Sequence, residues 1–120
     1  MLSYHGPGNL VTVASTAQGD SKLICVDSSG IFIILNNAGN CIRMTDQSND
    51  YQVMEENGCL NDNTNYQFKQ FTVSTGHYQF ENVHFQKWLG TESCPFSDGD
   101  VVEGVPNAAG NCLTWLKDNP

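Results

Sequence analysis

Positive charge is scarce in this chain. Its 120 residues hold 5 Lys and Arg against 13 Asp and Glu, a net charge of −8. Lys22, Arg43, Lys69, Lys87 and Lys117 stand singly. A nucleic-acid or heparin-binding face needs several cations acting together to displace counterions, so nucleic acid is excluded as an expected partner. The same field repels an anionic membrane surface and favours a neutral or basic protein partner. Long apolar runs are also missing, and none approaches the ~20 residues of a membrane span, so no membrane insertion is expected. The opening Met1-Leu2-Ser3-Tyr4-His5-Gly6-Pro7-Gly8 has no apolar h-region of a signal peptide. Synthesis in the cytosol, or prior removal of a leader, is the expectation.

Catalytic constellations are absent too. His5, His77 and His84 are scattered, and there is no HExxH, GxSxG or GxxxxGK[ST] pattern. A Cys–His pair assembled in space is no more than chance supplies, so the chain is read as a non-enzyme. Asn61, Asn63 and Asn65 alternate as oxygen ligands do, and Asp98 and Asp100 are spaced for chelation. Neither set has the central Gly and distal Glu of a calcium loop. Both are read as polar turn residues, with no metal and no cofactor.

The five cysteines, Cys25, Cys41, Cys59, Cys94 and Cys112, include no CxxC pair. Several sit in apolar runs and are expected to pack reduced in the core. Two bridges with one free thiol remain the alternative.

What the sequence does have is a regular alternation of short apolar stretches and turn clusters. The stretches are residues 10–15, 22–27, 31–35, 41–45, 51–55, 66–73, 77–83, 85–90, 101–105 and 112–116. Clusters such as Asp27-Ser28-Ser29-Gly30 and Asn36-Asn37-Ala38-Gly39-Asn40 separate them, rich in residues that tolerate positive φ. No window sustains helical periodicity. One all-β domain over residues 1–120, a sandwich or barrel, follows. The run Ile31-Phe32-Ile33-Ile34-Leu35 is apolar throughout and should be buried on both faces. From Tyr66 and Phe68 to Phe71 and Val73 the apolar parity switches, which predicts a β-bulge. Gly39-Asn40-Cys41-Ile42, Asn57-Gly58-Cys59-Leu60 and Gly110-Asn111-Cys112-Leu113 echo one another as turn, Cys and aliphatic entering a strand.

Gln86-Lys87-Trp88 matches the QxW signature of ricin-type lectins, which also open their repeats with turn-Cys-Leu patterns. Here it occurs once, and Trp88 is read more simply as a core anchor.

Residues 66–89 resemble the signature region of the interleukin-1 family of cytokines, with Phe80-Glu81-Asn82, Phe85 and Trp88-Leu89 in matching places. The closing stretch, from Asp100-Val101-Val102 to Cys112-Leu113-Thr114-Trp115-Leu116, is similar to that family's last strands. Asn82 stands where Ser is usual, and Cys112 and Leu116 where aromatics are common. The resemblance implies a β-trefoil: a six-stranded barrel capped by hairpins. It also implies a monomeric, cytokine-like ligand, agonist or antagonist, that binds immunoglobulin-like receptor ectodomains through surface loops. Location would be extracellular, after leaderless export. Asn49, Asp50, Asp98 and Asp100 are the candidate receptor contacts. Asn111 falls where agonists of the family carry an acid and the antagonist carries Lys, which implies weak or absent agonism. The alternative is another trefoil binding module, a carbohydrate-binding lectin or a protease inhibitor. A lectin should present an exposed aromatic beside Asp or Asn; a cytokine should bury Trp88. The interior is expected to hold Phe68, Phe80, Phe85, Trp88, Ile33, Leu35, Leu113 and Leu23.

Overall fold

The computed structural model describes residues 2–13, 21–26, 29–47, 50–59, 63–75, 77–92, 96–107 and 115–116. Eleven strands lie among them: β1 Leu2–Ser3, β2 Thr12–Val13, β3 Lys22–Cys25, β4 Ile31–Leu35, β5 Cys41–Gln47, β6 Asp50–Glu56, β7 Phe68–Ser74, β8 His77–Asn82, β9 Trp88–Gly90, β10 Glu103–Val105 and β11 Trp115–Leu116. Thr64–Tyr66 forms one 3-10 turn, started by the Asn63 side chain accepting from the Asn65 N–H. No α-helix occurs among the described residues.

Three hairpins of one design carry the architecture: β1–β2, β5–β6 and β9–β10. Within them Leu2 pairs with Val13, Ile42 with Glu55 and Leu89 with Gly104. The hairpins also meet one another in turn, through Leu10↔Met54, Gln52↔Glu103 and Thr12↔Val101. In each contact the residue before one valine faces the residue after the next. Those valines, Val11, Val53 and Val102, are fully buried, as are Leu2, Ile42 and Leu89 in the neighbouring strands. The backbone therefore has threefold character without an exact sequence repeat. Strict alternation of strand side chains lets one buried position per hairpin fix the facing of all the others.

Hydrogen bonding closes a ring of seven strands, β4–β5–β6–β10–β9–β8–β7 and back to β4. Six were expected in the barrel. The count differs because the second unit contributes four strands, β5 to β8, while the first unit contributes β4 and the third the β9–β10 hairpin, and β1–β2 forms a separate two-stranded sheet. Phe68, Phe80, Ile34 and Met44 fill the interior with the threefold set. Outside the ring, Ile33, Cys41 and Tyr66 form a second cluster, flanked by Val26, Leu35 and Cys59. Since Ile34 faces the interior and Ile33 the second cluster, β4 is buried on both sides, as its apolar run requires.

Four expectations are corrected. Cys41 and Cys59 are joined by a disulfide, with Cα atoms 5.7 Å apart, not reduced. The chain leaving β6 turns back at Gly58, whose φ of +68° brings Cys59 over the start of β5. Cys25 is exposed rather than buried, because it stands at the very end of β3, past Leu23, which packs on the core; Cys94 and Cys112 lie outside the described residues. Phe85, Trp88, Leu35 and Leu23 are only half-buried, and Leu113 lies outside the described residues. The register shift in β7 falls between Thr72 and Ser74, not between Phe68 and Phe71, because β7 pairs regularly there, with Phe68 facing the core and Phe71 the outer side.

In denaturant without reductant, at most three of the five cysteines should react with a thiol reagent, since Cys41 and Cys59 are bonded to each other. Five reactive thiols would show the pair unbonded.

Candidate functional site: an outward aromatic face

Asn36 and Asn82 occupy equivalent places, each at the end of a strand that leads by a short turn into the next unit. The Asn36 Oδ1 accepts from the Asn40 N–H at 3.0 Å, and the Asn82 Oδ1 accepts from the His84 and Phe85 N–H groups at 3.1 and 3.0 Å. Side-chain oxygens that satisfy turn amides are the usual reason for Asn at such positions. The turns deliver Cys41 opposite Leu35 and Trp88 opposite Glu81. Cys41 and Trp88 are thus the same position in successive units, facing outward, while Ile42 and Leu89 behind them face the core. This parity explains why Trp88 is not interior.

The first of these turns is fastened by Glu55, a carboxylate 2 % exposed. Its Oε2 accepts from the side-chain amides of Asn36 at 2.9 Å and Asn40 at 2.8 Å, and its Oε1 accepts from the Gly6 N–H at 2.8 Å. Burying a charge is costly unless donors replace its water, and here three do. In the next unit the place of Glu55 is taken by Gly104. A Cβ there would lie 2.7 Å from the Tyr51 Cβ, 2.8 Å from the Met44 Sδ and 2.9 Å from the Lys87 Cβ. Two of these are first side-chain atoms with no freedom to swing aside.

The surroundings of Cys41 and Trp88 differ in kind. Cys41 is covered by Ile33, Tyr66 and its disulfide partner. Trp88 instead leans on Phe71, ring centroids 5.0 Å apart at 57°, and both are only half-buried. The Lys69 Nζ sits 5.3 Å from the Phe71 centroid. Register places Ile31, Lys69, Glu81, Trp88 and Val105 in one row across five strands on this outer side. Tyr51 and Phe85, packed instead against the main core, meet edge to face at 5.5 Å, with the Lys87 Nζ 5.1 Å over the Tyr51 ring. Phe71, Lys69 and Glu81 were not singled out from the sequence. Their signal was the parity switch after Phe68, which puts Phe71 on the outward side next to the QxW tryptophan.

The loop residues fall elsewhere. Asp98 and Asp100 share a turn at residues 97–100, where the Asp100 Oδ2 accepts from the Ser97 N–H at 2.8 Å. That turn is tied to β2 by Val13 N–H to Asp100 O at 2.9 Å and Gly99 N–H to Val13 O at 2.8 Å. Asp50 starts β6, in a different hairpin, paired with Gln47. Asn49 and Asn111 lie outside the described residues. The Asn63 side chain serves its own 3-10 turn, in line with the polar-turn reading.

No family model matches the chain, and no curated protein matches it in sequence. Among solved structures it is similar to a designed three-fold symmetric protein, ThreeFoil, with TM-score 0.78 and 20 % identity, covering 92 % of this chain and 81 % of that one. The fold is a β-trefoil. The likeness reaches no further than the fold, and does not single out the interleukin-1 family.

Gly104→Ala should destabilise the protein by about 2–3 kcal/mol, the upper range for overpacking; an unchanged denaturation midpoint would show the contact to be soft. Glu55→Ala should cost about 2–3 kcal/mol by stranding two buried amides. Glu55→Gln should do little better, because its NH2 turns a donor toward donors. Full stability of Glu55→Gln in urea unfolding would remove the need for a carboxylate.

Proposed function

We propose that this β-trefoil is an extracellular, non-catalytic, carbohydrate-binding module that works as a monomer. The observation that carries this reading is Trp88, only half-buried against Phe71 on the outside of the barrel, where the receptor-ligand reading requires it fully buried. Aromatic faces beside polar groups suit sugars, which present apolar C–H faces and hydroxyl edges. The Cys41–Cys59 disulfide supports an oxidising location. The sparse, scattered cations argue against polyanionic glycans such as heparin.

The cytokine-like reading, a ligand of immunoglobulin-like receptor ectodomains, comes second. It draws on the exposed, well-braced turn that carries Asp98 and Asp100, a fixed acidic projection of the kind that steers a basic partner.

A glycan array run beside a receptor-ectodomain screen tests the two. Glycan capture that Trp88→Ala abolishes is expected. Capture of an ectodomain alone, with association slowed when Asp98 and Asp100 are both changed to Lys, would overturn the carbohydrate reading in favour of the second.

A further inference from the structure

The outward row gives the binding reading a definite place. Resting on that reading, we propose that Trp88, Phe71, Glu81 and Lys69 form a subsite for one neutral pyranose of a glycan chain.

The comparison of equivalent positions within the fold carries the argument. Where the first unit meets the second, the outward strand position is Cys41 and the strand behind it supplies Ile33 and Leu35. Cys41 and Ile33 there are closed over by Tyr66 and the disulfide, while Ile24 at the edge of the patch is 48 % exposed. Where the second unit meets the third, the same strand positions hold Trp88, Gln79 and Glu81. Lys22 and Lys69 are equivalent, as are Ile24 and Phe71, by their places opposite Leu35 and Ile33 in one unit and Glu81 and Gln79 in the other. Aromatic rings thus replace Cys and Ile, and a carboxylate and an amide replace Leu and Ile. A scaffold element selected only for burial has no need of that exchange.

The chemistry presented is specific. Two half-buried rings set at 57° make a shallow angled platform for the C–H face of a sugar. Glu81, between Lys69 and Trp88 in the row, offers two acceptor oxygens to hydroxyls, and Lys69, exposed above Phe71, offers donors. One carboxylate and one ammonium cancel locally, and the net charge of −8 repels acidic sugars. A neutral pyranose is the ligand this fits. All four residues stand on strands, which hold geometry more tightly than loops and lessen the ordering needed on binding.

The test uses the whole chain and methyl pyranosides of glucose, galactose, mannose and N-acetylglucosamine as probes, followed by NMR. The Trp88 indole N–H, assigned with Trp88→Phe, should shift on titration with at least one probe. Glu81→Gln, a change at a half-buried surface position, should weaken that binding about tenfold, the loss expected for one charge-assisted hydrogen bond. Its thermal midpoint should not move. If the array reports glycan binding but Glu81→Gln leaves it unchanged and the indole signal stays still, the subsite is wrong while the carbohydrate reading stands. Preference for sialylated over neutral glycans would overturn the ligand class. No glycan binding in any form would remove the functional reading and the subsite together.

Discussion

Three buried valines hold the architecture together. Val11, Val53 and Val102 each sit one residue from a bridge to the next hairpin and one residue from a bridge to the previous one. A slip of one residue at any of the three contacts would turn that strand's apolar set outward. It would also break closure, since each hairpin is bound to both others. The backbone reinforces the pattern: Val11 N–H donates to Val53 O at 3.0 Å and Val102 N–H to Val11 O at 2.9 Å. Register, closure and core are in this way one constraint. The ring of strands follows from it, even though several seams of the ring, such as Leu35↔Cys41 and Glu81↔Trp88, rest on a single register pair.

The next position along each hairpin shows how much chemical freedom that constraint leaves. Val13, Glu55 and Gly104 are equivalent, opposite Leu2, Ile42 and Leu89. Valine fills the space with its own methyl groups. Glutamate fills it with a carboxylate and draws in the amides of Asn36 and Asn40 and the backbone of Gly6. Glycine leaves it to be filled by Tyr51, Met44 and Lys87. Three unlike residues solve one packing problem because each was matched by its neighbours, so no repeat survives in the sequence.

This explains what was legible beforehand. Strand content was readable from alternation and from Asn, Asp and Gly clusters, and β4 falls on its apolar run from Ile31 to Leu35 without adjustment. The trefoil was accessible only through family resemblance, since the equivalence of Val11, Val53 and Val102 rests on pairing partners far apart in the chain. The visible echoes misled. Gly39-Asn40-Cys41-Ile42 enters a strand, whereas Asn57-Gly58-Cys59 follows the end of β6 and returns to bond Cys41. The equivalent residues are instead Asn36 and Asn82, whose turns have different lengths and share almost no other letters. The outward face escaped notice for a related reason. Trp88 and Phe71 lie far apart in sequence, and an aromatic in a strand reads as core until its parity against a partner such as Glu81 is known.

Parity also bears on how function is laid over such a fold. Inward positions are held to a narrow range of apolar volume by close packing, so Leu2, Ile42 and Leu89 stay alike. Outward positions on the same strands meet no such limit, provided that the neighbouring unit is not exposed to excess apolar surface. At Cys41 the surface is closed by a disulfide and Tyr66, and the patch becomes a second small core. At Trp88 it stays open, and the neighbours become Glu81, Gln79 and Lys69. An open aromatic among polar residues sacrifices burial that the equivalent position shows to be attainable in this same scaffold. Stability alone does not account for that choice; the proposed recognition of a partially apolar, hydroxyl-bearing molecule would.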